Sequence, residues 1–349
     1  MRFLVEVVTD CQKLEFSRLN SYKQETLTQL LGPVFHDLTR LESALVTLLE
    51  TDSKTAQEIV QFFFTQKGKR IRPALFFYIC NILGYDGPHK IMMGCVTEFV
   101  HTASLLHDDV IDNSTLRRNK PTVQTCWGDQ MAILVGDLIY ARASELMAKT
   151  GQETLITSFA QTIKKMSEGE IYQLEHVFDY SVSYERYLDI ISSKTASLLA
   201  TTCETAGILS DVSEGQVKAL KSFGYNLGIS FQLVDDALDY LGDEDVFGKK
   251  QYKDLEEGKV TLPLILLREK LSDLENSKIK KCFTQDKLLP SDIINIVKLI
   301  RIAKTAEITI EKAKVYTKKA LEQLEQNFDS SYNMDPLKKM ALELVQRIH

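Results

Sequence analysis

Proline is scarce in this chain, seven in 349 residues, and most of it falls where a turn is expected, as at Gly32-Pro33 and in Gly84 to Pro88. Long helices fit between such breaks. No stretch reaches the roughly 18 to 20 uninterrupted apolar residues that a membrane span requires, so any membrane contact would be peripheral. The six cysteines, Cys11, Cys80, Cys95, Cys126, Cys203 and Cys282, are scattered singly. That spacing fits neither a zinc site nor a disulfide framework, and a reducing, cytoplasmic compartment is the simplest expectation. The first twenty residues carry Glu6, Asp10 and Glu15 and lack a long apolar run, unlike a signal peptide or an acid-poor transit peptide. Charge of one sign is also lacking: 42 basic and 48 acidic residues are intermixed to a net −6, which excludes an overall field for nucleic acid. With 44% hydrophobic residues and no low-complexity tract, the chain can bury a sizeable core. Nothing reads as a hinge, so a single domain over 1–349 is expected.

What is present is helical periodicity. Met92, Val96, Phe99, Val100, Ala103, Leu106 and Val110 step by three and four, as do Leu220, Phe223, Leu227, Phe231, Val234, Leu238 and Leu241, with Gly242-Asp243 as a stop. Other helices are expected near 22–50, 55–66, 73–83, 129–149, 153–176, 184–207, 261–271, 291–300 and 303–328, with a short one at the C-terminus. No segment alternates convincingly at period two. The fold class expected is all-α, with ten or more helices.

The helices marked by these two apolar series each carry an aspartate cluster, Asp108-Asp109-Val110-Ile111-Asp112 and Asp235-Asp236-Ala237-Leu238-Asp239. Residues four apart on a helix are neighbours, about 5–6 Å between Cβ atoms. Asp108 with Asp112, and Asp235 with Asp239, therefore present paired carboxylates, and Gln232 lies one turn before the second pair on the same face. Like charges so close are costly unless a cation compensates, and a hard divalent ion that also takes phosphate oxygens suits them. One such pentapeptide alone equally describes a solvated acidic face; two on core-packed helices shift the balance. Cations recur beside them: Lys69, Arg70 and Arg72 in GKRIRP at 68–73, Arg117-Arg118, Lys249-Lys250, and Lys259. Singly each is an ordinary surface residue, but together they describe a site for polyanionic phosphate. His101 lies two turns before Asp108 and on its own would read as a satisfied core histidine; His107 reads as structural.

These motifs, with HTASLLHDDVIDNSTLRR at 101–118, GD at 136–137, KT at 194–195, FQLVDDALD at 231–239 and GKVTLP at 258–263, resemble the trans-isoprenyl diphosphate synthases, in their long-chain octaprenyl-type branch. The resemblance covers nearly the whole chain. It implies the isoprenoid synthase fold with helices around a central cavity, a homodimer, and two substrates, an allylic diphosphate and isopentenyl diphosphate. It implies three Mg2+ ions, two on Asp108 and Asp112 and a third on Asp235, with Asp109, Asp236 and Asp239 supporting. Lys194, Thr195, Gln232, Arg117, Lys249 and Lys259 would hold the allylic diphosphate, and Lys69, Arg72, His101 and Arg118 the isopentenyl diphosphate. In that family, aromatic residues one turn before the first cluster close the cavity early. Ala103 and Ser104 are small, so a long product is expected, such as a quinone side-chain precursor, with Phe159 or Met147 as a deeper floor. A short-chain farnesyl or geranylgeranyl synthase shares the chemistry and differs at that floor. A catalytically silent subunit would be expected to have lost aspartates or cations, and none is missing. A terpene cyclase would not need Lys69, Arg72 and His101.

Overall fold

A computed structural model describes residues 31–66, 68–241, 252–285 and 287–345. The helices are α1 (Phe35–Thr47), α2 (Lys54–Thr65), α3 (Ile71–Ile82), α4 (Lys90–Ile111), α5 (Val123–Trp127), α6 (Asp129–Ala148), α7 (Glu153–Glu175) and α8 (Tyr184–Ile191). They continue as α9 (Ser197–Leu209), α10 (Glu214–Leu241), α11 (Lys253–Glu256), α12 (Leu262–Lys270), α13 (Asp273–Cys282), α14 (Pro290–Ala303), α15 (Thr305–Asn327) and α16 (Asp335–Val345). The fold is all-α. Among the described residues the only paired strands are β1 (Leu116–Arg117) and β2 (Lys120–Pro121), an antiparallel hairpin between α4 and α5. Each is two residues long, too short to leave a period-two pattern. Among the described residues no helix is long and apolar enough to cross a membrane.

Buried side chains form two hydrophobic clusters, and α10 belongs to both. Phe223 and Leu227 belong to the cluster that also takes in residues of α3, α4, α6 and α9, while Leu233, Val234, Ala237 and Tyr240 belong to the one with α12, α14 and α15. From Pro73 to Cys80 every residue of α3 is buried, as expected of a helix apolar all round. Glycine lets α10 come close to its neighbours. A Cβ on Gly224 would lie 2.4 Å from the Leu199 carbonyl oxygen, and one on Gly228 2.5 Å from Ala196 Cα. Ser230 Oγ donates to the Ala313 carbonyl at 2.7 Å and ties α10 to α15.

Three differences from the expected helices have local causes. The span 184–207 divides: between α8 and α9 the residues Ser192–Ala196 are a π-helical turn, in which the Ser197 N–H donates to the Ser192 carbonyl. Such turns recur at functional sites because they re-aim side chains. Of the expected span 22–50, residues 22–30 lie outside the described residues; Leu31 is helical, and a 3-10 turn at Gly32–Val34, where Pro33 suits a first turn and not a helix interior, separates it from α1. The polar helix α13 buries only Ile279, so it leaves almost no apolar stripe; its signal was the capping box of Ser272 and Glu275.

Overpacking at the α10 contact is expected to be costly. Gly228→Ala should lower stability by about 1–3 kcal/mol, whereas Gly215→Ala, with nothing nearer than 4.0 Å to an added Cβ, should not. Thermal melts in which the two variants shift alike would contradict the packing account.

Candidate active site

The apolar ridge of α4 buries Val96, Phe99, Val100, Ala103 and Leu106, which fixes the helix rotation and carries its acids to the last turn. Asp112 is the C-cap residue. Backbone carbonyls at a helix C-terminus already carry partial negative charge, so three carboxylates there need cations. Each carboxylate has a different one. Asp109, 2% exposed, accepts from Arg117, whose Nε lies 3.0 and 2.9 Å from its two oxygens and whose Nη2 lies 2.8 Å from Oδ1. Asp108 Oδ2 lies 3.8 Å from Lys194 Nζ. Asp112 Oδ1 lies 3.3 Å from Lys259 Nζ, which also contacts Glu257 at 2.6 Å. Burial alone would weaken the hold of Lys259 on its proton, but Asp112 and Glu257 outweigh it and keep the ammonium firmly charged.

The hairpin explains how Arg117 reaches Asp109. Arg118 and Asn119, at its turn, both have positive φ, 52° and 61°, the geometry of a tight two-residue hairpin turn. It sends β1 back along the end of α4 and leaves Arg118 against the 68–73 loop, where a Cβ on Gly68 would lie 2.8 Å from Arg118 Nη1.

That loop does not present its three cations alike. Arg70, the N-cap residue of α3 at φ 49°, turns inward and is 7% exposed. It pairs with Glu98 at 2.6 Å and Glu42 at 2.7 Å. Lys69 stays exposed. Arg72 has a buried Nε with no hydrogen-bond partner among the described residues. Burial first, and then the charge of Arg118, loosen its proton, while Glu98 and Asp235 act the other way. His101 is held neutral by burial and by Arg72, Arg117 and Arg118 around it. Three guanidinium groups about a neutral imidazole, one with an Nε that has no partner among the described residues, make a cationic cluster suited to an anion.

On α10, Asp235 is exposed, Asp239 half-buried and Asp236 4% exposed. Asp236 accepts from Tyr187 Oη at 2.5 Å and Gln232 Nε2 at 2.7 Å. Gln232 Oε1 in turn accepts from Thr195 Oγ1 at 2.8 Å. This network joins α8, the π turn and α10. Asp239 accepts backbone N–H groups of Lys253 and Asp254, each at 3.3 Å. Burial and then the Asp254 carboxylate push the pKa values of Asp236 and Asp239 upward, and Asp254 itself is raised by burial. Among the described residues the ionised forms of Asp236 and Asp239 are therefore costly, and a bound cation would relieve that cost.

Ala103 is fully buried and Ser104 half-buried, with Ser104 Oγ donating to the His101 carbonyl at 2.8 Å. Phe159 and Met147 lie in the same apolar cluster as Ala103. His107 is engaged with α6: its Nε2 is 3.2 Å from the Ile133 carbonyl and 3.4 Å from Asp137 Oδ1. A Cβ on Gly136 would lie 2.3 Å from that nitrogen, which accounts for the glycine of the GD pair. Lys249 and Lys250 lie outside the described residues. The sequence reading missed Tyr187, Asp254 and Glu170, the last an ion-pair partner of Lys194. Only Asp254 offered a signal, an acid five residues before Lys259.

Residues 53–300 match the family model described as Polyprenyl synthetase. The chain belongs to the polyprenyl synthetase family. An octaprenyl diphosphate synthase of Escherichia coli is 37% identical over 229 residues, 66% of this chain and 71% of that one. A decaprenyl diphosphate synthase from Rhodobacter capsulatus has a crystal structure that matches with TM-score 0.86 and 30% identity over 93% of this chain and 99% of its own. A polyprenyl synthase from Caulobacter crescentus, crystallised with calcium and isoprenyl diphosphate, matches with TM-score 0.86 and 31% identity over 93% of this chain and 98% of its own.

In this polyprenyl synthetase the donors fit a divalent cation. All are hard carboxylate oxygens, and burial with neighbouring acids opposes the ionisation of Asp108, Asp236 and Asp239, a cost that a cation would relieve; among the described residues no three His, Cys, Asp or Glu side chains are grouped so as to hold a metal ion by themselves. Paired carboxylates that leave positions for water and phosphate suit a hard divalent ion. Burial, then Glu170 and Asp112 against the pull of Lys194, raise Asp108 to about 6 from 3.8. A raised carboxyl pKa means the fold loses stability as pH rises through that window, and the loss is complete above it. Asp108→Asn should therefore raise the metal-free melting temperature at pH 7.5. The rise in melting temperature on adding Mg2+ should be larger at pH 7.5 than at pH 5 in the wild type, and smaller in the variant. Equal Mg2+ shifts in both proteins would remove Asp108 from the metal site.

Proposed function

We propose that this polyprenyl synthetase condenses an allylic diphosphate with successive isopentenyl diphosphates into a long-chain all-trans polyprenyl diphosphate. The observation that carries the reading is the arrangement of charge: two carboxylate clusters, in which burial and neighbouring acids oppose the ionisation of Asp108, Asp236 and Asp239, beside two separate sets of cations. Lys194, Thr195 with Gln232, and Lys259 are assigned to the allylic diphosphate, with Arg117 supporting them through Asp109. Arg72, His101, Arg118 and Lys69 are assigned to isopentenyl diphosphate.

The difficult step is heterolysis of the allylic carbon–oxygen bond, which leaves an allylic cation and a diphosphate anion. Preorganised charge aimed at the leaving group lowers that barrier. Three Mg2+ ions, held by Asp108, Asp112 and Asp235, would neutralise the leaving charge and orient it. Lys194 and Lys259 add positive charge at the same end. Arg72 and Arg118 hold the second diphosphate, so its alkene attacks the cation, and the proton released goes to the departed diphosphate. One diphosphate is expelled for each isoprene unit added. No protein nucleophile is required.

Ala103 and Ser104, both small, leave room for the tail beneath Asp108, and this supports a long product. The exposed Ile133 and Leu134 of α6 suit coverage by a second copy, and a homodimer working in the cytoplasm is part of the proposal.

The deciding experiment incubates the purified chain with Mg2+, farnesyl diphosphate and labelled isopentenyl diphosphate and measures product length. Long all-trans products are expected; products that stop at farnesyl or geranylgeranyl length would replace the reading with a short-chain synthase, and no turnover would favour a silent subunit. Asp108→Asn should lower kcat by about 10²–10³-fold, the scale for removing one element of charge stabilisation. Ala103→Tyr should shorten the product, and an unchanged distribution would show that Ala103 does not line the tail's path.

A further inference from the structure

Glu170 on α7 has no part in the scheme above, and its surroundings are unusual. It is 9% exposed, it forms an ion pair with Lys194, and neither of its oxygens makes a directed hydrogen bond among the described residues. A buried carboxylate satisfied by one cation is a weak device for stability, because desolvation offsets most of the attraction. It is an effective device for fixing where that cation sits.

The local packing serves that end. Gly169 brings α7 against the π turn, since a Cβ there would lie 2.8 Å from Ser193 Cβ and 2.9 Å from the Lys194 nitrogen. Glu170, the next residue, then reaches the Lys194 ammonium, and Gln173, three residues on, offers Oε1 at 3.5 Å from Nζ. The third partner is Asp108 Oδ2 at 3.8 Å, on α4. The ammonium is thus held by α7 while it faces a carboxylate assigned to metal. A divalent cation on Asp108 would repel Lys194, and a flexible lysine with no other anchor would swing away from it.

We propose that Glu170 is a positioning residue for the allylic diphosphate: it anchors the Lys194 ammonium beside Asp108, so that an arriving diphosphate meets that cation already in place. The inference rests on the assignment of Lys194 to the allylic diphosphate.

A double-mutant cycle of Glu170→Gln and Lys194→Ala tests it, with KM for both substrates and kcat measured at saturating Mg2+ and melting temperatures recorded for all four proteins. Glu170→Gln should raise KM for the allylic diphosphate about tenfold or more, the scale of losing a charged anchor. KM for isopentenyl diphosphate should stay within about twofold, and in the Lys194→Ala background the further effect of Glu170→Gln should vanish. Glu170→Asp, which keeps the charge with a shorter reach, should fall between and serves if the glutamine variant folds poorly. Unchanged kinetics, or equal losses for both substrates in both backgrounds, would overturn the proposal and leave Glu170 a packing residue. If the wild type turns over nothing, the functional reading fails by itself, and calorimetric affinity for farnesyl diphosphate in the same proteins still decides the role of Glu170.

Discussion

The constraint on which the structure depends is the concentration of carboxylates at the end of α4, where the helix's own carbonyls already favour positive charge. Asp108, Asp109 and Asp112 are each answered by a different cation: Lys194 from the π turn, Arg117 from the hairpin and Lys259 from the segment after α11. Three distant parts of the chain are drawn to one point by charge. The second cluster is treated differently, because Asp236 is held by Tyr187 and Gln232, both neutral, and Asp254 adds a further acid. Among the described residues burial and neighbouring acids oppose the ionisation of Asp108, Asp236 and Asp239, and that cost is what a bound divalent ion would relieve.

Helix packing sets the distances that make this balance possible. Gly224 and Gly228 let α10 lie against α9 and Ala196, and Gly169 lets α7 approach the π turn from another side. The π turn is therefore clamped between two helices by close contacts, and its consecutive residues serve different partners: Lys194 meets α4 and α7, Thr195 meets α10. The added residue in this turn changes which way Lys194 and Thr195 face, an outcome that a continuous helix over 184–207 would not give.

Much of this was legible in the sequence, and the reason is physical. Asp108 with Asp112 and Asp235 with Asp239 are readable because helical neighbours are set by spacing alone, and the apolar steps before each cluster mark which face is buried. Helices such as α4, α6 and α10 were found nearly whole. What spacing does not encode is where a side chain goes once helices pack. Arg70 looks like a third phosphate-facing cation beside Lys69 and Arg72, yet its left-handed backbone turns it toward Glu42 and Glu98. Tyr187 and Glu170 are unremarkable in sequence and acquire roles only through contacts with residues many positions away. The two-residue strands and the polar α13 were missed because neither carries enough apolar residues to show a period.

The central claim is that the carboxylate pairs are completed only by metal and diphosphate together. Calorimetric titration of the purified chain with Mg2+, in the absence and presence of inorganic diphosphate, tests it most directly. The account predicts that diphosphate tightens Mg2+ binding by about tenfold or more and that Mg2+ tightens diphosphate binding by the same factor, as linkage requires. Mg2+ affinity that does not change when diphosphate is added would contradict it.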